Sequence, residues 1–135
     1  MKKIILFFVL LASTFCFSQG TDVILPISTS KTELFLQEIF KNCPDFTPTD
    51  IENYKELVDQ VTIIISTKSE QELAQLPLLS LVPLKSKCNT ELIQDNSNFE
   101  IGTFNPIKYF FNFYSTIDKY YRVDGTSFII KVRAI

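Results

Sequence analysis

The chain contains no histidine, no tryptophan and a single methionine, and only three of its 135 residues are glycine. The missing histidine removes Ser–His–Asp and Cys–His catalysis, histidine-bearing zinc sites, and the side chain best matched to proton transfer near neutral pH. With glycine confined to Gly20, Gly102 and Gly125, phosphate-cradling loops of the Walker or dinucleotide-binding type are excluded. Cysteine is scarce as well: Cys16, Cys43 and Cys88 are too few for a four-thiolate zinc site. No cofactor and no metal are expected, and no catalytic residue is assigned.

Apolar residues crowd the start of the chain. Lys2 and Lys3 precede an uncharged run from Ile4 to Phe17, and Cys16-Phe17-Ser18 has the small-x-small spacing that signal peptidases accept. The expectation is a secretory signal over residues 1–18 and one globular domain over residues 19–135. As a membrane anchor the run is shorter than the roughly 18 to 20 residues that span a bilayer, and no basic stop-transfer cluster follows it. Lipidation at Cys16 is disfavoured by Ser13-Thr14-Phe15, which lacks the leucine-like residue and the adjacent small residue that pathway requires. The Lys-Lys, Phe-rich leader resembles bacterial leaders, and that resemblance covers the leader alone. The expected destination is the periplasm or the extracellular space, with no membrane insertion after cleavage.

Loss of the leader leaves two cysteines, Cys43 and Cys88, in a chain bound for an oxidising compartment, which suggests a disulfide; two free buried thiols are the alternative. The bridge would close a loop of about 45 residues, worth roughly 4 kcal/mol in loop-closure entropy. With Lys2 and Lys3 gone, acids outnumber bases, so no general attraction to nucleic acid or to an anionic membrane is expected.

Helix signals fill the first half of the mature chain. Ser30 with Glu33 has the spacing of a reciprocal capping box, and Leu36, Ile39, Phe40 and Cys43 form one stripe that Pro44 ends. Thr47-Pro48-Thr49-Asp50 opens a second helix, with Ile51, Tyr54, Leu57, Val58 and Val61 on its apolar side. The β-branched run from Val61 reads as a buried strand, and Ser69 with Glu72 opens a third, short helix over residues 69–76. Residues 77–106, rich in proline and polar turn residues, read as irregular chain pinned by Cys88.

Asp124-Gly125 lies between two alternating runs and predicts a hairpin with a two-residue turn. That turn sets Val123 opposite Thr126, Tyr121 opposite Phe128 and Tyr120 opposite Ile129. Tyr121, Val123, Phe128, Ile130 and Val132 then share the core face, while Tyr120, Arg122, Ser127, Ile129, Lys131 and Arg133 share the other. Upstream, Ile107, Tyr109, Phe111 and Phe113 alternate with Lys108, Phe110, Asn112 and Tyr114. This adds a third strand, although residues 107–114 also fit a helix capped by Asn105-Pro106. The expected fold class is therefore α+β: two or three N-terminal helices packed on one face of an antiparallel sheet, with a C-terminal three-stranded meander over residues 109–114, 120–123 and 128–132.

The functional expectation is a small exported bacterial protein acting as a non-enzymatic binding or interaction module for a protein or glycan partner. Ring plus positive charge at Tyr120, Arg122, Lys131 and Arg133 marks the outer sheet face, and an exposed sheet edge could accept another strand. Phe110 and Tyr114, opposite the apolar side of their segment, form a patch if that side is exposed. One alternative is a secreted inhibitor or immunity-type protein. Another is a histidine-free hydrolase with paired carboxylates, for which Glu52, Glu56 and Asp59 are the nearest cluster. Asp95, Ser97 and Glu100 offer oxygen ligands but lack the spacing and glycine of an EF-hand, and read as a polar turn.

Overall fold

The computed structural model describes residues 20–43 and 46–135; the expected signal over residues 1–18 and Cys16 lie outside the described residues. Four strands, β1 (Val23–Pro26), β2 (Val61–Ile65), β3 (Lys119–Arg122) and β4 (Phe128–Val132), form one antiparallel sheet in the order β1-β2-β4-β3. The helices are α1 (Thr32–Ile39), α2 (Pro48–Asp59) and α3 (Glu70–Leu73). The class is α+β, as the sequence predicts.

Local chemistry explains the clearest elements. At the start of α2 the Thr47 hydroxyl accepts from the Asp50 backbone N–H while the Asp50 carboxylate accepts from the Thr47 N–H, so two orphan donors are satisfied reciprocally. Ser69 and Glu72 repeat the arrangement at α3, which runs only four residues rather than to Leu76. The Ser30–Glu33 box does not form. Ser30 lies in a 3₁₀ turn (Thr29–Lys31) and bonds Ser28, and α1 starts two residues later with the Thr32 hydroxyl donating to the Thr29 carbonyl.

One sheet face carries Val61, Ile63, Ile130 and Val132 and buries them with Phe35, Leu36 and Ile39 of α1, Val58 of α2, and Phe104, Tyr109, Phe111 and Phe113 from the connection before β3. On the opposite face Ile64 and Ile129 pack under Leu73 of α3, with Leu76 against them. Helices thus cover both faces, α1 and α2 one side and α3 part of the other, instead of one side only.

Two expectations about the C-terminal third are corrected. Residues 109–114 form neither a strand of the sheet nor an α-helix. A 3₁₀ turn (Pro106–Lys108) leads into extended chain whose isolated bridge, Tyr109 to Leu84, is flanked by Phe110 N–H to the Pro83 carbonyl and Lys85 N–H to the Lys108 carbonyl. Pro83 has no N–H to lengthen that ladder, and the outer edge of β3, where a meander strand would pair, is met at Arg122 by Pro77 and Leu78. The intended meander is therefore two-stranded, and β2 and β1 complete the sheet.

The hairpin register is also displaced by two residues: Tyr121 faces Ile130 and Arg122 faces Ile129. The turn is longer than Asp-Gly alone, because the Val123 N–H donates to the Phe128 carbonyl and Thr126 folds inward, its hydroxyl donating to the Val123 carbonyl and accepting from the Phe128 N–H. Gly125 supplies the positive φ, +68°. Since two is the side-chain period of a strand, the faces keep the membership the sequence assigned.

Long-range polar contacts hold the irregular connection between α3 and β3. Cys43 and Cys88 stand at disulfide distance, Cα–Cα 5.2 Å, as expected. Buried Asn89 donates to the Glu38 carbonyl at the end of α1, and buried Asn105 donates to the Phe35 carbonyl and the Glu38 carboxylate. Asp124 accepts from the Ser80 N–H and hydroxyl, fastening the hairpin turn to the same connection.

Three tyrosines are shaped by this packing. Burial pushes the Tyr54, Tyr109 and Tyr121 hydroxyls above their ordinary value of 10.0, and for Tyr109 the hydrogen bond to Asp95 adds to the effect. Above pH 10.0 the unfolded chain sheds protons that the folded chain retains, so stability is full below that pH and falls as pH rises beyond it. Burial of Lys85 works oppositely, but only below its unfolded value of 10.5. Melting temperatures measured at increasing pH should therefore drop beyond pH 10.5, with tyrosinate absorbance rising together with unfolding. A melting temperature that stays level there would contradict the burial of these three hydroxyls.

Candidate functional site

The outer sheet face does not present the cationic surface expected of it. Arg122 is buried: its guanidinium pairs with Glu70 of α3 at 2.7 Å and donates to the Thr126 carbonyl, so charge reversal there would strike the fold. Lys131 pairs with Asp118 at 3.1 Å, which holds its ammonium above the ordinary value, and Arg133 pairs with Asp59 at 3.2 Å. Tyr120 remains partly exposed, with the Lys131 Nζ 5.8 Å from its ring centroid, between two shallow depressions of about 260 and 250 Å³. Ile129 on this face is fully covered. The sheet edges are limited too: the Arg122 N–H on β3 is taken by the Pro77 carbonyl, and Pro26 on β1 has no N–H to offer.

Phe110 and Tyr114 are brought to the surface instead. The extended chain after Tyr109 buries Phe111 and Phe113 and turns Phe110 and Tyr114 outward, leaving them 60% and 74% exposed. Alternation places them correctly even without a strand, because extended backbone has the same period of two.

Around them stand residues that the sequence did not assign to a binding surface. Lys85 places its Nζ 5.7 Å from the Tyr54 ring centroid and 5.8 Å from those of Phe110 and Phe113. Among the described residues this ammonium has no ion-pair partner. Burial lowers its proton affinity, while the three ring faces favour the cation. Tyr54 in turn borders a cleft of about 430 Å³ between α2 and the C-terminal end of the chain, lined by Asn53, Glu56, Leu57, Gln60 and Tyr114. Burial raises the Tyr54 hydroxyl, with Asp50 and Tyr114 adding to the shift, so it stays a neutral donor. The ring cage and the cleft adjoin through this one tyrosine.

Local sequence gave little warning. Tyr54 reads as part of the apolar stripe of α2, and Gln60 ends that helix without any motif. Of the candidate hydrolase acids, Glu52 pairs with Lys55 on its own helix, Asp59 pairs with Arg133, and Glu56 lines the cleft. Among the described residues no group of three or more His, Cys, Asp or Glu could hold a metal ion, and no helix is long and apolar enough to cross a membrane. The chain matches no protein family, no curated protein and no solved structure in comparison with them.

Proposed function

We propose that the chain is an exported, non-enzymatic binding module, and that it binds through the aromatic surface of Phe110, Tyr114 and Tyr54 around Lys85 rather than through the outer sheet face. The observation that carries this reading is the outward placement of Phe110 and Tyr114, the latter lining a cleft. Burying a large apolar side chain gains about 1.5 to 3 kcal/mol, so covering both rings yields at most about 6. Association costs about 4 kcal/mol or more. The rings alone therefore give weak binding, and the adjoining polar groups must contribute. At the sheet face Arg122, Lys131 and Arg133 already have acidic partners, which argues against an electrostatic contact there.

Co-sedimentation with envelope fragments of the producing cell tests the reading. The mature protein should pellet with them, and Phe110→Ala with Tyr114→Ala should remain in the supernatant with its melting temperature within a few degrees of wild type. Equal pelleting of the two proteins would overturn it.

A further inference from the structure

We propose that the cleft beside Tyr114 is a subsite for a neutral sugar ring of a surface or extracellular glycan, an assignment that rests on the binding reading above and gives its ligand a chemical class. Asn53, Glu56 and Gln60 lie three and four residues apart along α2 and its cap, so they share one side of the helix and line the same cleft. Two amides and a carboxylate offer donors and acceptors suited to hydroxyl groups. Tyr114 stands on the opposite wall with its ring exposed. The negative face of an aromatic ring attracts the C–H bonds on a sugar face, while hydroxyls at the sugar's edge meet the polar side chains.

Gln60 supplies an independent indication. Its side chain is buried, it lines the cleft, and its Oε1 has no hydrogen-bond partner among the described residues. A buried acceptor left unpaired destabilises a fold, and a hydroxyl entering the cleft is a donor that can pair it. The cleft volume, about 430 Å³, lies within the range of small-molecule sites.

Charge narrows the class further. Glu56 lines the cleft and Asp50 acts on Tyr54, while the Lys85 ammonium stands at the Tyr54 ring in the adjoining cage, so charges of both signs border the cleft and a sugar without net charge suits it. A protein partner fits less well, since the buried centres of protein interfaces are depleted in Glu, which lines this wall.

The test is an NMR titration of the ¹⁵N-labelled mature protein with chitohexaose, cellohexaose and xylohexaose at millimolar concentrations. At least one should give saturable shifts at Asn53, Tyr54, Gln60 and Tyr114. Tyr114→Ala should weaken that binding about tenfold. Gln60→Met should weaken it severalfold while raising the melting temperature, because it removes the unpaired acceptor; a merely structural Gln60 would show no loss of affinity. No saturable shift at the cleft with any of the three sugars, or unchanged affinity in Tyr114→Ala, overturns the sugar assignment. If envelope binding then proves protease-sensitive and still depends on Phe110 and Tyr114, the binding reading stands with a protein ligand. If envelope binding ignores those two rings, that reading falls as well.

Discussion

Replacing Cys43 and Cys88 by alanine, or reducing the bridge between them, should lower the unfolding free energy by about 4 kcal/mol. The two residues are 45 positions apart, and closing a loop of that length removes that much freedom from the unfolded chain. Such a loss is a large share of the roughly 5 to 15 kcal/mol that stabilises a typical domain. The bridge also acts where periodic structure is absent. It ties the connection after α3 to the end of α1, next to the Asn42 N–H to Cys88 carbonyl bond, the Asn89 side chain on Glu38 and the Lys41–Glu91 ion pair. Urea unfolding with and without reductant measures the effect: the midpoint should fall and the m-value should rise, because the freed chain exposes more surface. A change below about 1 kcal/mol would contradict the assigned role.

Lys108→Met should cost about 3 kcal/mol, the low end for breaking a buried ion pair. Lys108 and Asp95 meet at 2.8 Å with side chains only 9% and 18% exposed. The ammonium also donates to the Ile93 carbonyl, and the Asp95 carboxylate accepts from the Tyr109 hydroxyl while its N–H donates to the same oxygen. Truncating the lysine strands a carboxylate, though the Tyr109 hydroxyl and its residual exposure keep the penalty from reaching the upper end of the range. Adding Asp95→Asn removes the charge but keeps an acceptor for Tyr109. The double variant should therefore recover at least half of the loss in denaturant unfolding. A double variant less stable than Lys108→Met would show that the network works differently.

Sequence was most legible where a local rule has no competitor. Thr47-Pro48-Thr49-Asp50 could only open a helix, and the β-branched run from Val61 could only be a buried strand. The hairpin shows the limit of such rules. Asp124-Gly125 marks where the chain turns, but Thr126 and Ser127 join the loop because the Thr126 hydroxyl bonds backbone on both sides. The resulting shift leaves the core face unchanged only because it equals the strand period. The third meander strand failed for a different reason. Its alternation reflects extended chain packed on a core, which looks the same in sequence whether or not a sheet partner is free. Residues 77–106 resisted assignment because Cys88, Asn89 and Asn105 act through partners 45 to 70 positions away, and the neighbouring Asp95 depends on Lys108 and Tyr109.

The candidate site divides along the same line. Phe110 and Tyr114 were visible as the outward half of an alternating run. Arg122, assigned to the surface by the same alternation, is buried because α3 folds over that end of the sheet, which no periodicity could reveal. Tyr54 and Gln60 belong to α2 and its cap and Lys85 to the connection after α3, and only the fold brings them beside the exposed rings.

The central claim is that the two outward rings are a contact surface rather than incidental exposure. Envelope co-sedimentation of wild type and the Phe110→Ala/Tyr114→Ala variant, with a melting curve on the same samples, tests it most directly. The account predicts loss of binding at unchanged stability. Retained binding, or a variant that no longer folds, would contradict it.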